Sequence, residues 1–278
     1  MKCGVYVILT LLIPNYVLAI EVGKCGHYFK SYYSIFRNNS FFDSERNRVL
    51  FGFDGKGRFM TVVVDYRYGI SDRLNVGLIL PWVSNRFEND FNLFQRERIS
   101  DLTLLGEYRF LDFSKVRKVL SLRAGLITST GYKTDHPIWL GNGTTEALAG
   151  LIFKQFWKGK GQKIDSSRID SLRAWYEIDV AVRIPVDQDD GNIDGDWSVP
   201  IHIGFNYRPI YKLTFGSGFV ASVNDRRDFL GVEALIKYRL SFPVEFEIGL
   251  THMIAGRNSS AGTAILAGLL INTGRIWN

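Results

Sequence analysis

The chain has 278 residues, is 46% hydrophobic, and carries a formal net charge of +6 at pH 7. After the N-terminus no stretch stays apolar for the ~18 residues that a membrane-crossing helix needs, which excludes a helical membrane protein. The basic residues are spread along the sequence and form no patch or tail, which argues against a nucleic-acid binder. Gly is frequent at 27, Pro is scarce at 7 and aromatics reach 14%, a mixture that suits many strands better than helices.

Residues 1–19 read as a cleaved signal peptide. Lys2 is the positive end, residues 5–13 are the apolar segment, Pro14 breaks it, and Val17-Leu18-Ala19 supplies a cleavage site. Residues 20–278 are then the mature domain. Cleavage removes Cys3 and leaves Cys25 alone, so neither an intramolecular disulfide nor a cysteine-rich zinc site is expected. Lys24 directly before Cys25 does not suit lipid attachment.

From there the pattern is alternation with period two, the signature of strands with unlike faces. Twelve strands are predicted near 28–37, 58–68, 74–84, 101–111, 118–129, 145–157, 171–185, 199–208, 211–222, 229–240, 244–254 and 262–273. In the seventh, Ala174, Tyr176, Ile178, Val180, Val182 and Ile184 form an apolar face. Arg173, Trp175, Glu177, Asp179, Ala181 and Arg183 form the opposite, charged face. The links after even strands are mostly short, and those after odd strands, such as 38–57, 85–100 and 255–261, are longer. Short periplasmic turns and longer outer loops alternate in this way in outer-membrane barrels.

A soluble sandwich or lipocalin-like barrel also alternates apolar and polar residues. Here the apolar face carries Tyr66, Tyr68, Tyr108, Tyr176, Tyr207, Tyr211 and Tyr238 near strand ends, as an interfacial aromatic girdle requires. The expected fold is therefore all-β: an antiparallel transmembrane β-barrel of about twelve strands in the bacterial outer membrane. Its surroundings would be outer-membrane lipid, and its insertion would use the barrel-assembly machinery. The C-terminus departs from the common terminal aromatic, with Trp277 one residue early.

Two stretches carry a family resemblance. Gly69-Ile70-Ser71-Asp72-Arg73-Leu74 with Leu80-Pro81-Trp82, followed by Asp101-Leu102 and Glu107-Tyr108-Arg109-Phe110, resembles the outer-membrane family named for the meta-pathway of phenol degradation. Glu107 departs from that family's usual Lys, and Ser129-Thr130-Gly131 stands where Pro-Thr-Gly is usual. A related outer-membrane family of unknown function shares the same turn and Pro-aromatic ending. The resemblance implies a transporter-like barrel for small, often aromatic or apolar solutes. It implies no catalytic residues and no cofactor. The turn also has a plain structural reading, since Gly69 permits a positive φ and Ser71 and Asp72 can bond their own backbone.

By alternation the interior face carries Asp65, Arg67, Glu107, Arg109, Arg123, Arg173, Glu177, Asp179, Arg183, Arg208, Lys212, Glu233, Lys237, Arg239, Glu245 and Glu247. These are the candidate lumen-lining or solute-binding residues. Two readings remain open at this point. One is a conduit whose charges select a small-molecule solute. The other is a filled lumen of mutually paired charges in a structural or surface-interaction barrel. The loop 38–57, with Phe41, Phe42, Val49, Leu50 and Phe51, is a candidate inward-folding constriction. Asp190, Asn192 and Asp194 match the first half of a calcium loop, but Ile201 stands where the bidentate acid belongs, so they are weak metal candidates. Catalysis is not expected: His27, His136, His202 and His252 lack a nucleophile at a suitable spacing, although His202 and Asn206 share a face.

Overall fold

The computed structural model describes residues 22–111, 118–130, 144–158, 172–186, 197–241 and 243–273. The expected leader at 1–19 and the acidic loop with Asp190, Asn192 and Asp194 lie outside them. Among the described residues every regular element is a strand. They are β1 (His27–Phe42), β2 (Arg48–Leu50), β3 (Lys56–Gly69), β4 (Leu74–Glu88), β5 (Leu93–Ile99), β6 (Leu102–Arg109) and β7 (Lys118–Thr128). There follow β8 (Glu146–Lys158), β9 (Leu172–Pro185), β10 (Val199–Ile210), β11 (Leu213–Val223), β12 (Asp228–Ser241), β13 (Val244–Arg257) and β14 (Ser259–Asn272).

Leaving aside β2 and β5, successive strands pair antiparallel, β1 with β3 and β4 with β6 among them, and β14 returns to β1 along its whole length, from Tyr28↔Asn272 to Phe42↔Ser259. Twelve strands thus close into a barrel with no free lateral edge, while β2 and β5 are short additions at one end. Closure matters because a lipid-exposed edge would leave backbone donors and acceptors without partners.

Side chains then sort by the pleat. Outward positions such as Leu78, Leu104, Leu151, Ile203, Phe215, Ile236 and Ile248 are exposed, whereas Lys30, Asp65, Arg67, Glu107, Arg123 and Glu177 are buried inside. This is the reverse of a soluble sandwich and suits a lipid-facing wall. Tyr66, Tyr108, Tyr207, Tyr211 and Tyr238 are exposed at the end where β3 turns into β4 and β10 into β11. Trp157 and Tyr176 meet there at 5.1 Å. The links after β3, β10 and β12 are short, whereas the long segments that carry β2 and β5 and the long links after β7 and β9 lie at the other end, so we assign this as the periplasmic end.

The outer end differs from the sequence expectation. The segment 38–57, expected as a loop, continues β1 to Phe42 and folds back as β2, with Ser40↔Leu50 and Phe42↔Arg48 in register. The segment 85–100 likewise extends β4 and forms β5. The segment 255–261 is a near-continuous hairpin turned at Asn258, which takes φ 49°, a conformation Asn tolerates better than most residues. Hairpin pairing satisfies backbone groups that a loop would leave to water.

Pro81 fixes the one step in the β4 wall. Its carbonyl accepts from Ser100 N at 2.8 Å, so its missing donor faces the β5–β6 side. There β4 changes partners, from Ile79↔Thr103 on β6 to Trp82↔Ile99 on β5. A proline is tolerated at such a bulge because the ladder is already interrupted there.

Candidate functional site in the barrel interior

The inward face of β1 shows the plan of the lumen. From the periplasmic end outward it carries Tyr28, Lys30, Tyr32, Ser34 and Phe36, all buried. Lys30 belongs to a belt of charges. Tyr32 joins Val63, Ile79 and Leu105 in an apolar layer. Phe36 belongs to an outer cluster of phenylalanines.

In the charged belt Arg67, Arg123, Lys154, Lys30, Lys237, His202 and Arg239 each meet a carboxylate. Arg67 donates through Nε and Nη2 to Asp65, at 3.1 Å each, and through Nη1 to Glu107 at 3.3 Å. Arg123 donates to Asp179 at 3.0 Å, and Lys154 lies 3.0 Å from Glu177. Lys30 and Lys237 flank Glu247, each at 3.0 Å. His202 Nε2 lies 2.7 Å from Glu233, and Arg239 lies 2.6 Å from Glu245. Arg208 donates to Thr214 at 3.1 Å and stands 5.3 Å from the Trp175 ring.

Several pairs span an intervening strand: Arg67–Glu107 crosses β4, Arg123–Asp179 crosses β8, His202–Glu233 crosses β11 and Lys30–Glu247 crosses β14. Bare glycines on the crossed strands make room. A Cβ at Gly77 would lie 2.9 Å from Arg67 Cγ, and one at Gly218 would lie 2.8 Å from Glu233 Oε1. The belt is therefore compact and mixed in sign. Arg67 is fully buried and Glu177 is 1% exposed, the burial of a constriction and not of a wide aqueous pore.

The outer tier is apolar. Phe36, Phe42, Phe51, Phe59 and Phe87 pack with Met253, Val220, Ala261 and Ala264, and Phe41, Phe94 and Phe229 lean on them. Phe51 lies between β2 and β3, outside the barrel strands, yet it is buried. Its ring meets Phe87 at 5.3 Å and Phe41 at 5.6 Å.

Of the residues singled out by alternation, Asp65, Arg67, Glu107, Arg123, Glu177, Asp179, Glu233, Lys237, Arg239, Glu245 and Glu247 meet in the belt. Arg109 and Arg208 are half-buried towards the periplasmic end. Arg183 is half-buried at the outer end of β9, where its backbone bridges Ser198. Lys212 is a correction: it is exposed in the turn between β10 and β11, because β10 runs on to Ile210 and leaves only two residues to reverse the chain. The Arg173 side chain lies outside the described positions. Phe42 and Phe51, expected in an inward-folding constriction over 38–57, are both buried in the outer cluster, whereas Lys30, Lys154, Phe36, Phe59 and Phe87 are not singled out by alternation. For Lys154 the available signal is its cross-strand match with Glu177.

No family model and no curated protein sequence matches the chain. Solved structures do match in shape. An outer-membrane channel from Pseudomonas putida F1 superposes with a TM-score of 0.70 at 14% identity, covering 91% of this chain and 96% of that one. The transport unit of the autotransporter AIDA-I from Escherichia coli gives 0.55 at 7% identity, over 95% and 94%. The NanC porin gives 0.52 at 10% identity, over 87% and 98%. Closed wall, apolar outer belt and shared fold are together those of a bacterial outer-membrane β-barrel.

Proposed function

We propose that this barrel passes small uncharged or apolar solutes, aromatic ones among them, across the outer membrane. The observation that carries the reading is the two-tier lumen, with a phenylalanine cluster outside a belt of internally paired charges. A one-sign ring would favour ions of the opposite sign. A belt whose charges are already matched offers a charged solute little net gain, whereas the phenylalanine rings attract apolar surface. The motif resemblance to the meta-pathway family supports the same class of solute. Residues 1–19 act as the leader, 20–278 form the barrel, and the barrel-assembly machinery inserts it. The lumen residues act by shaping and polarising the passage, not by chemistry on the solute.

The complete burial of Arg67 favours a second reading, a filled barrel that acts through its outer face without transport. Single-channel recording in planar bilayers separates the two. Transport predicts discrete openings that small neutral aromatic compounds block, and weaker block when Phe51 and Phe87 are replaced by Ala. A folded barrel that shows no openings, with or without those substitutions, overturns the transport reading and leaves the filled-barrel one.

A further inference from the structure

We infer that residues 22–26 form a hook that closes the periplasmic mouth of the barrel, and that the Gly69-Ile70-Ser71-Asp72-Arg73-Leu74 turn is its catch. Val22 is 1% exposed and packs on Tyr28 and Leu270. Tyr28 is an inward residue at the periplasmic end of β1, and its ring lies 6.0 Å from the Arg67 guanidinium. The Val22 side chain therefore lies at the lumen side of the mouth, directly beneath the charged belt.

Backbone bonds tie the hook to the turn. Cys25 N donates to Gly69 O at 2.8 Å, Gly69 N donates to Gly26 O at 3.1 Å, and Lys24 N donates to Asp72 Oδ1 at 3.1 Å. Gly26 N closes the hook on Gly23 O at 2.8 Å, and Cys25 takes φ 58° to make the reversal. Gly69 has to lack a side chain, since a Cβ there would lie 2.1 Å from the Gly23 carbonyl oxygen. A tight turn alone would need neither that gap nor an acceptor aimed at Lys24. The turn motif thus has a second task, holding an apolar residue in the mouth. Few contacts hold the hook, so it can undock while the barrel stays closed.

The inference rests on the closed barrel and not on the transport reading, and the test keeps them apart. In full-length protein with Cys3→Ser and Cys25→Ser, a single thiol is placed at the seat by Leu270→Cys, and its modification by a membrane-impermeant thiol reagent is timed. Unheated gel mobility checks that each variant is folded. Adding Val22→Asp, or Gly69→Val as a second route, should speed modification about tenfold, the shift expected from losing one buried Val. Equal rates with and without these substitutions in folded protein overturn the hook. Faster modification with bilayer conductance unchanged at zero supports the hook and counts against transport.

Discussion

Arg67 is held between two carboxylates with no exposed surface, so its value lies in what its removal leaves behind. Arg67→Met strands Asp65 and Glu107 in a buried site without the guanidinium between them. Loss of one member of a buried ion pair costs about 3–5 kcal/mol. Urea unfolding of the refolded barrel in micelles should show that loss. Asp65→Asn with Glu107→Gln in the same chain should recover most of it, and a triple variant no more stable than Arg67→Met would refute the account. Arg67 is legible in the sequence because Val64-Asp65-Tyr66-Arg67-Tyr68 alternates cleanly around it. Lys30 is not, because both faces of 28–37 mix aromatic or aliphatic residues with polar ones, Tyr28, Tyr32 and Phe36 inward against Phe29, Tyr33 and Ile35 outward. The alternation rule assumes that inward means polar. It fails wherever the lumen itself is apolar, which is why Phe36, Phe59 and Phe87 are not legible as lumen residues although Phe42 and Phe51 are.

The strands show the same limit. β8 reads Glu146-Ala147-Leu148-Ala149-Gly150-Leu151-Ile152-Phe153, with Leu148 and Ile152 turned inward beside Leu151 turned outward. Its existence is evident from the sequence but its faces are not; only pairing with β7 and β9 assigns them. In register, Leu151 sits between Leu122 and Val180, and it is 53% exposed near the middle of the strand. Leu151→Arg should therefore cost about 2–4 kcal/mol in a bilayer, as a cation at the lipid midplane does. Folding titrations in liposomes measure it, and a neutral result would mean that this face does not meet lipid. The extended outer ends of β1, β4 and β13 were missed for another reason. Their polar residues resemble loop, but cross-strand hydrogen bonds decide their structure, and one stretch of sequence does not reveal its partners.

At the scale of the whole molecule, the seam between β14 and β1 is paired as fully as any other in the barrel. A closed sheet of this kind resists detergent until it is heated. Unheated samples should run faster than heated ones on a denaturing gel, and replacing Ile35 and Phe36 by Pro, at the middle of β1, should abolish the fast form. Identical mobility of the heated and unheated wild-type protein would mean that the seam is open in solution.

Lys30 and Glu247 lie 217 positions apart, at opposite ends of the chain. Lys237 stands directly across from Glu247 within the β12–β13 hairpin, so that pair can form locally and early. Lys30 can join it only when β14 comes to rest beside β1. Long-range contacts of this kind carry the greatest loop-closure cost and form late. The last step of assembly therefore lands on a carboxylate already set in place, and the arrival of Lys30 beside it marks the moment at which an open sheet becomes a barrel.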